Sequence, residues 1–403
     1  MERPKSPNRR IEPRIGDRDS KASAVRPDRR FDLCAFCPDL CLDRCPVVDV
    51  TGSTSLSPHA KMLSGWLATH RVVEPDPDLA RLAYQCTGCL ACHEACEHRV
   101  DVASALFSLR ADWVRSGISP YDRRLFERPG GSRTDRDPEP DLVAAQARLI
   151  PRRYFVPEAQ AVLFAGCHAI LGQPQVVRDA LAVFRALDIE FVGASEDAAV
   201  CCGYPLYAGG LLDDFVRHAE RVSRALHRYR HVVALSACCA YTMKVLYPQL
   251  GIENPPRVLT ALELVAPLAL RTKAPSLGLA LAYHDSCFLG RHSGLYDLPR
   301  EVLTHLNGMP PIELRLAREE APCCGSGGAF ERIAPAESRA AAQRVIAMAS
   351  DAGADLLVSA CTRCSDQLGL ASGSDHGVRV LDLFQILAEW LRGAENPRRA
   401  HRT

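Results

Sequence analysis

The sequence predicts a composite chain of α+β and α/β character, a helical cysteine-rich domain followed by two duplicated α/β domains. Three observations carry that prediction. One cysteine pattern occurs twice, first as Cys167, Cys201-Cys202-Gly203 and Cys238-Cys239, then as Cys287, Cys323-Cys324-Gly325, Cys361 and Cys364. Short apolar strands alternate with helical stretches through both copies. Upstream, eight more cysteines crowd into two short-spaced runs. At 403 residues the chain exceeds one ordinary core, so two or three domains are expected.

Taken in order, residues 1–30 are rich in Arg, Pro, Asp and Ser and read as a disordered basic arm. Residues 31–127 form the first domain, with helices expected over 56–70, 77–84 and 102–114 and Asp101 as an N-cap of the last. Residues 128–153 read as a linker, because 128–141 runs RPGGSRTDRDPEPD. The first α/β domain spans 154–272: a strand at 161–165, a helix over 173–187, a strand near 190–192, a helix over 211–227 and a strand at 231–235. The second spans 273–391, with strands at 279–283 and 356–358. The halves end alike, Arg257-Val258-Leu259 leading into an apolar helix and Arg379-Val380-Leu381 into another, which argues for internal duplication. Residues 392–403 read as a disordered tail.

Composition excludes several classes. The chain is 47% hydrophobic and 24% charged, which is globular, and its net charge of +1 gives no bias toward nucleic acid. Eighteen cysteines would suit a disulfide framework, but such frameworks belong to short secreted chains, and the polar first 30 residues carry no signal-peptide pattern. The cysteines are therefore expected as metal-binding thiolates in a reducing compartment. No stretch reaches 18 uncharged apolar residues, so a cytoplasmic protein is expected, with any membrane contact peripheral and through a partner.

The upstream runs are Cys34-x2-Cys37-x3-Cys41-x3-Cys45-Pro46 and Cys86-x2-Cys89-x2-Cys92-x3-Cys96. Their spacing is similar to that of two-cluster bacterial ferredoxins, in which the fourth Cys of each run ligates the other cluster. That resemblance implies a helical two-cluster ferredoxin-like domain. It implies one [4Fe–4S] on Cys34, Cys37, Cys41 and Cys96, and another on Cys86, Cys89, Cys92 and Cys45. The first run departs by one residue before Cys41, and the second carries Glu97 where Pro is usual. Structural zinc is the alternative, since four-cysteine zinc sites also use Cys-x2-Cys. His93 and His98 lie within or beside the second run as possible ligands, proton carriers or solvent-facing residues.

The duplicated motif, Cys-x(33)-Cys-Cys-Gly and Cys-x(35)-Cys-Cys-Gly-x(35)-Cys-x2-Cys, resembles the cysteine-rich CCG domain of heterodisulfide reductase and of the iron–sulfur subunits of glycolate oxidase and related complexes. Tyr283-His284-Asp285-Ser286-Cys287 and Pro322-Cys323-Cys324-Gly325-Ser326-Gly327-Gly328 carry the likeness, and the order of parts matches over roughly residues 31–390. The resemblance implies a terminal, catalytic site on Cys287, Cys323, Cys324, Cys361 and Cys364, with His284, Asp285 and Arg291 supplying protons or charge, or fixing the loop. The glycine-rich turn after Cys324 is expected to let backbone N–H groups approach the sulfides. One or two further clusters, cubane or non-cubane, are implied in the two CCG domains. In the first copy Cys167, Cys201, Cys202 and Cys238 remain, and aligning Cys238 with Cys361 sets Tyr241 at the last Cys position. Three readings stay open there: a four-thiolate cluster, a cluster using Cys239, or a structural brace.

No dinucleotide fingerprint follows a strand, so no flavin is expected in this chain. The resemblance implies an iron–sulfur electron-transfer subunit partnered by a flavoprotein dehydrogenase or electron-transfer flavoprotein, and by a membrane quinone-reducing subunit. A thiol–disulfide reductase and a zinc-held scaffold are the competing readings.

Overall fold

A computed structural model describes residues 28–127, 140–156, 159–253, 255, 257–373 and 377–395. Most of the expected arm, most of 128–141 and the end of the tail lie outside the described residues.

The first domain is helical because its apolar residues recur at helical spacing between good caps. Ser57 accepts from the Ala60 amide to start Pro58–Thr69, and Asp76 caps Pro77–Tyr84. Asp101 accepts from the Ser104 amide at 2.9 Å to start Val102–Arg115. These helices bury Phe31, Met62, Leu106, Leu109 and Trp113 together. A helix the spacing did not suggest, Pro140–Leu149, lies in the stretch read as linker. It buries Leu142 and Leu149, and its Gln146 donates to the Ser195 carbonyl at 2.8 Å.

Seven strands follow among the described residues, β1 Ala161–Phe164, β2 Val192–Gly193, β3 His231–Ala234, β4 Val258–Thr260, β5 Leu281–His284, β6 Leu356–Ser359 and β7 Arg379–Asp382. They form two parallel sheets, β2-β1-β3-β4 and β5-β6-β7. The counterpart of β2 in the second sheet is reduced to one parallel bridge from Ala282 to Ile312, in the place where β2 pairs with β1. β1, β5 and β6 are buried along their whole length, which suits parallel strands covered by helices on both faces. The duplication visible in the cysteines is thus a duplication of the sheet.

The halves interlock. The closing helix of the second half, Leu383–Glu395, packs on Pro174–Ala186 of the first half, and the closing helix of the first, Ala261–Ala269, packs on Asp297–Asn307 of the second. Trp390, Leu387, Phe184 and Val177 therefore share one core that also takes in Tyr84 and Phe107 of the helical domain.

Strand register equates the halves residue by residue. Ala161 through Phe164 pair with His231 through Ala234, and Leu281 through His284 pair with Leu356 through Ser359. Matching these strands sets Cys167 beside Cys287. It also sets Ser236 at the position of Cys361, Cys238 at that of Arg363 and Cys239 at that of Cys364. Aligning Cys238 with Cys361 from spacing alone is therefore two residues out of register, and Tyr241 does not stand where Cys364 stands. The spacing misled because Cys238 and Cys239 are adjacent, and only sheet pairing tells which one follows the strand end at the right distance.

Candidate metal centres

Among the described residues no disulfide is formed and no helix is long and apolar enough to cross a membrane. The thiols gather into groups built by short helices and turns.

Cys34 closes the helix Arg29–Ala35, Cys37 and Cys41 follow in the turn, and Cys96 ends the helix Ala91–Ala95. The four are electrostatic neighbours: burial, then Cys96 and Cys37, raises the Cys34 thiol to about 12. Burial, then Asp39, Cys34, Cys37 and Cys96, raises Cys41 to about 12. His59 meets the Cys34 carbonyl at 2.7 Å.

The second group is Cys45, Cys86, Cys89 and Cys92, which line one narrow cleft between the two loops. Lys61 also lines it, buried to 2% exposure, with Nζ 3.5 Å from the Cys45 sulfur. A buried ammonium is costly unless compensated, and sulfur is the partner it has. Sequence reasoning passed over Lys61, because on a helix of mixed residues nothing marks one lysine as the buried one. Glu97, by contrast, is exposed, so solvent screens its field.

In the first α/β half, Cys167 opens the helix Cys167–Gly172 beyond β1, with its sulfur 3.4 Å from that of Cys201. Cys202 is in hydrogen-bond contact with Cys201, Cys238 and Cys239, which as donors hold its thiol well below the ordinary range.

In the second half all five cysteines are buried. Cys323 contacts Cys287 and Cys324, and the sulfurs of Cys324 and Cys364 lie 3.2 Å apart. Cys361 caps the helix Thr362–Ala371 and is lowered to about 7, by the Cys364 thiol first and then by the Cys364 and Arg363 amides of the first turn. His284 ends β5, fully buried, with Nδ1 3.3 Å from the Ser359 hydroxyl and Nε2 3.2 Å from the Pro322 carbonyl. Burial lowers its pKa, so it is neutral. Asp285 is locked by Arg300 at 2.7 and 2.8 Å and accepts from the Arg318 amide at 2.8 Å, which fixes the loop ahead of Cys287.

The helical domain docks directly on this second half. Cys89 is in hydrogen-bond contact with Cys323. Arg291 donates to the carbonyls of Cys89 and Ala321, and His292 meets the Gly88 carbonyl at 2.9 Å. Buried Arg110 donates to carbonyls of Ala83 and Cys86 in its own domain, of Ala208 in the first half and of Gly328 in the second. Gly325 donates its amide to the Cys323 sulfur at 3.4 Å. The next two glycines also have a packing role. A Cβ on Gly327 would stand 2.2 Å from the Thr87 carbonyl oxygen, and one on Gly328 2.3 Å from that of Cys86. Their absent side chains let the turn press on the Cys86 loop.

These donor sets fit iron–sulfur cofactors: several thiols around one cleft, amides aimed at sulfur and buried cations beside them. Among the described residues no three His, Cys, Asp or Glu side chains close on a point as a single bare ion requires.

The comparisons agree in kind. Residues 161–244 and 281–369 match the model of the cysteine-rich domain, and residues 30–100 that of the 4Fe-4S dicluster domain. The chain is 31% identical over 327 residues to a subunit of the dihydromethanophenazine:CoB–CoM heterodisulfide reductase of Methanosarcina acetivorans, covering 76% of this chain and 77% of the relative. It is 28% identical to the equivalent subunit from Methanosarcina barkeri, covering 90% and 94%. It is 27% identical to the EtfAB:quinone oxidoreductase of Syntrophomonas wolfei over 75% of this chain and 46% of that one. A ferredoxin-like iron–sulfur domain followed by two α/β cysteine-rich domains makes the chain an oxidoreductase component with a redox role. It belongs to the family of CCG-domain iron–sulfur proteins related to heterodisulfide reductase.

Proposed function

We propose that this chain is the iron–sulfur electron-transfer subunit of a heterodisulfide reductase-like or flavin-dehydrogenase-linked complex. The observation that carries the reading is the docking of the Cys89 loop on the second α/β half, where Arg291 donates to the Cys89 carbonyl at 2.6 Å, His292 meets the Gly88 carbonyl at 2.9 Å and the Cys89 thiol neighbours that of Cys323. In this reading Cys34, Cys37, Cys41 and Cys96 hold one [4Fe–4S], and Cys45, Cys86, Cys89 and Cys92 hold the next. Cys287, Cys323, Cys324, Cys361 and Cys364 form the terminal site. When bound, such clusters supply one-electron carriers. The chain's own residues order them: the Cys34 group lies outermost, with Cys37, Cys41 and Cys96 half-buried, while the terminal thiols are wholly buried. Lys61 and Arg291 place positive charge at the inner sets.

The partner is a flavoprotein dehydrogenase or electron-transfer flavoprotein, with a quinone-reducing membrane subunit beyond it, a reading that the likeness to a quinone oxidoreductase supports. The location is cytoplasmic, with membrane contact through that partner. Anaerobic purification from the native source should recover a flavoprotein with the chain, and that partner's substrate should bleach the iron–sulfur absorbance. Recovery of a colourless zinc protein lacking acid-labile sulfide would sink the redox reading in favour of a zinc-held scaffold.

The completeness of the five-thiol set favours a second reading, a heterodisulfide-type reductase. There the disulfide takes up two electrons and two protons and leaves as two thiols, and neutral His284 is poised beside the Pro322 carbonyl to relay a proton. A paramagnetic species on adding thiol to the oxidised protein, lost in Cys323→Ser, distinguishes this reading from plain electron transfer.

A further inference from the structure

The first α/β half carries four cysteines in register with the second, and they are not the four that spacing selects. Two strand pairings fix the correspondence independently. β1 with β3 and β5 with β6 equate Ala234 with Ser359. β3 with β4 and β6 with β7 pair those two residues with Thr260 and Asp382. Thr260 and Asp382 each open a closing helix, and each has its backbone amide bound by the side chain three residues on, Glu263 at 2.7 Å and Gln385 at 2.9 Å. With that register, the residue two beyond the strand end is Ser236 in the first half and Cys361 in the second. Five beyond are Cys239 and Cys364, and four beyond are Cys238 and Arg363.

Sulfur contacts follow the same correspondence. Cys167 meets Cys201 as Cys287 meets Cys323, and Cys202 meets Cys239 as Cys324 meets Cys364. Gly166 supplies a separate observation. Its φ is +83°, and a Cβ there would lie 3.0 Å from the Cys239 sulfur. Glycine thus makes room for Cys239 against the Cys167 loop, whereas the matching residue in the second half, Ser286, keeps its side chain. Cys238 also touches Cys202, but it stands where the second half has an arginine. It also neighbours that same Arg363 and Cys361 across the seam between the halves.

We propose that the first cysteine-rich domain holds its own iron–sulfur cluster on Cys167, Cys201, Cys202 and Cys239, with the Ser236 hydroxyl in the fifth position and Cys238 outside the ligand set. Four thiolates suffice for a cubane, while a serine in place of the fifth cysteine removes one of the sulfurs that the second half offers. The halves would then hold chemically different clusters on one scaffold. Arg363, held by Glu331 and by the Ser326 carbonyl at 2.7 Å, lies between them as a shared cation.

The inference rests on the iron–sulfur reading above, and its test separates the two. The full-length chain and its Cys239→Ser, Cys238→Ser and Ser236→Cys variants are purified anaerobically and analysed for iron, acid-labile sulfide and low-temperature EPR. Cys239→Ser should lose roughly a quarter of the iron and sulfide, one cluster of four, while the EPR signals of the other sets persist and report a folded protein. Cys238→Ser should keep its full iron and sulfide, and Ser236→Cys should keep its iron with a changed EPR spectrum. Loss of a cluster in Cys238→Ser, or full retention in Cys239→Ser, overturns the assignment while leaving the redox reading intact. Absence of sulfide from the unsubstituted chain overturns both.

Discussion

Arg291 donates through Nε to the carbonyl oxygen of Cys89 at 2.6 Å, joining the second α/β half to the cysteine loop of the helical domain. The same guanidinium reaches the Ala321 carbonyl at 2.7 Å and acts electrostatically on Cys89, Cys287 and Cys323. A cation there favours the more negative, reduced state of whatever these thiolates hold. Arg291→Met should therefore lower the midpoint potentials of two signals in an EPR-monitored redox titration. Potentials that stay put would mean that the residue only braces the loop.

Lys61 gives a narrower version of the same effect. Its ammonium is buried against Cys45. Lys61→Met keeps the length and removes the charge, so the potential of the set on Cys45, Cys86, Cys89 and Cys92 should fall while that on Cys34, Cys37, Cys41 and Cys96 moves little. An equal shift of both signals would contradict the local placement of the charge.

Arg110 ties the three domains through carbonyls that have little access to water. Its guanidinium also lies 4.3 Å from the Phe107 ring centre and 4.7 Å from that of Tyr84. Arg110→Ala leaves several buried acceptors unsatisfied at about 1–3 kcal/mol each. A total loss on the order of 3–5 kcal/mol is expected, read as a lower denaturant midpoint and faster proteolysis between the helical domain and the sheets. An unchanged midpoint would show that water takes over the carbonyls.

Gly327→Ala tests the close approach of the turn to the Cys86 loop. With the Thr87 carbonyl 2.2 Å from the new methyl, the loops must separate, at about 1–3 kcal/mol. The expected outcome is a lower melting temperature together with slower electron exchange between the helical domain and the second half, followed by rapid-freeze EPR. A variant indistinguishable in both would show that the turn yields freely.

Asp382 supplies a pH dependence. Burial raises its carboxyl to about 7, against the bonds it accepts from the Phe384 amide and the Ser365 hydroxyl and with Asp179 adding to the rise. In the unfolded chain it titrates near its ordinary value of about 4. Between these values the folded protein keeps a proton that the unfolded chain releases, so this group's stabilisation is lost as pH rises from about 4 to about 7. Asp382→Asn should remove that slope, seen as a stability difference from the wild type that grows with pH across the window. A constant difference would contradict it.

Much of this was legible in the residues because cysteine spacing is a local quantity. The two upstream runs, the repeated Cys-Cys-Gly and the helices at Pro77–Tyr84 and Val102–Arg115 all follow from patterns within a few turns of chain. So does the placement of Cys167, Cys287 and Cys361 just past strand ends, since apolar runs ending in Gly or Ser mark where parallel strands stop.

Folding alone decided what lies far apart in sequence. Which of Cys238 and Cys239 corresponds to Cys364 depends on strand register, which adjacent cysteines cannot reveal. The purpose of Gly327 and Gly328 depends on Thr87 and Cys86, more than two hundred residues upstream, meeting them at contact distance. Lys61 and Arg110 look like ordinary surface charges until folding excludes water around them. Local spacing thus names the ligand chemistry of this protein. The burial of charge, the register of its halves and the contact of Cys89 with Cys323 arise only when one core closes over all three domains.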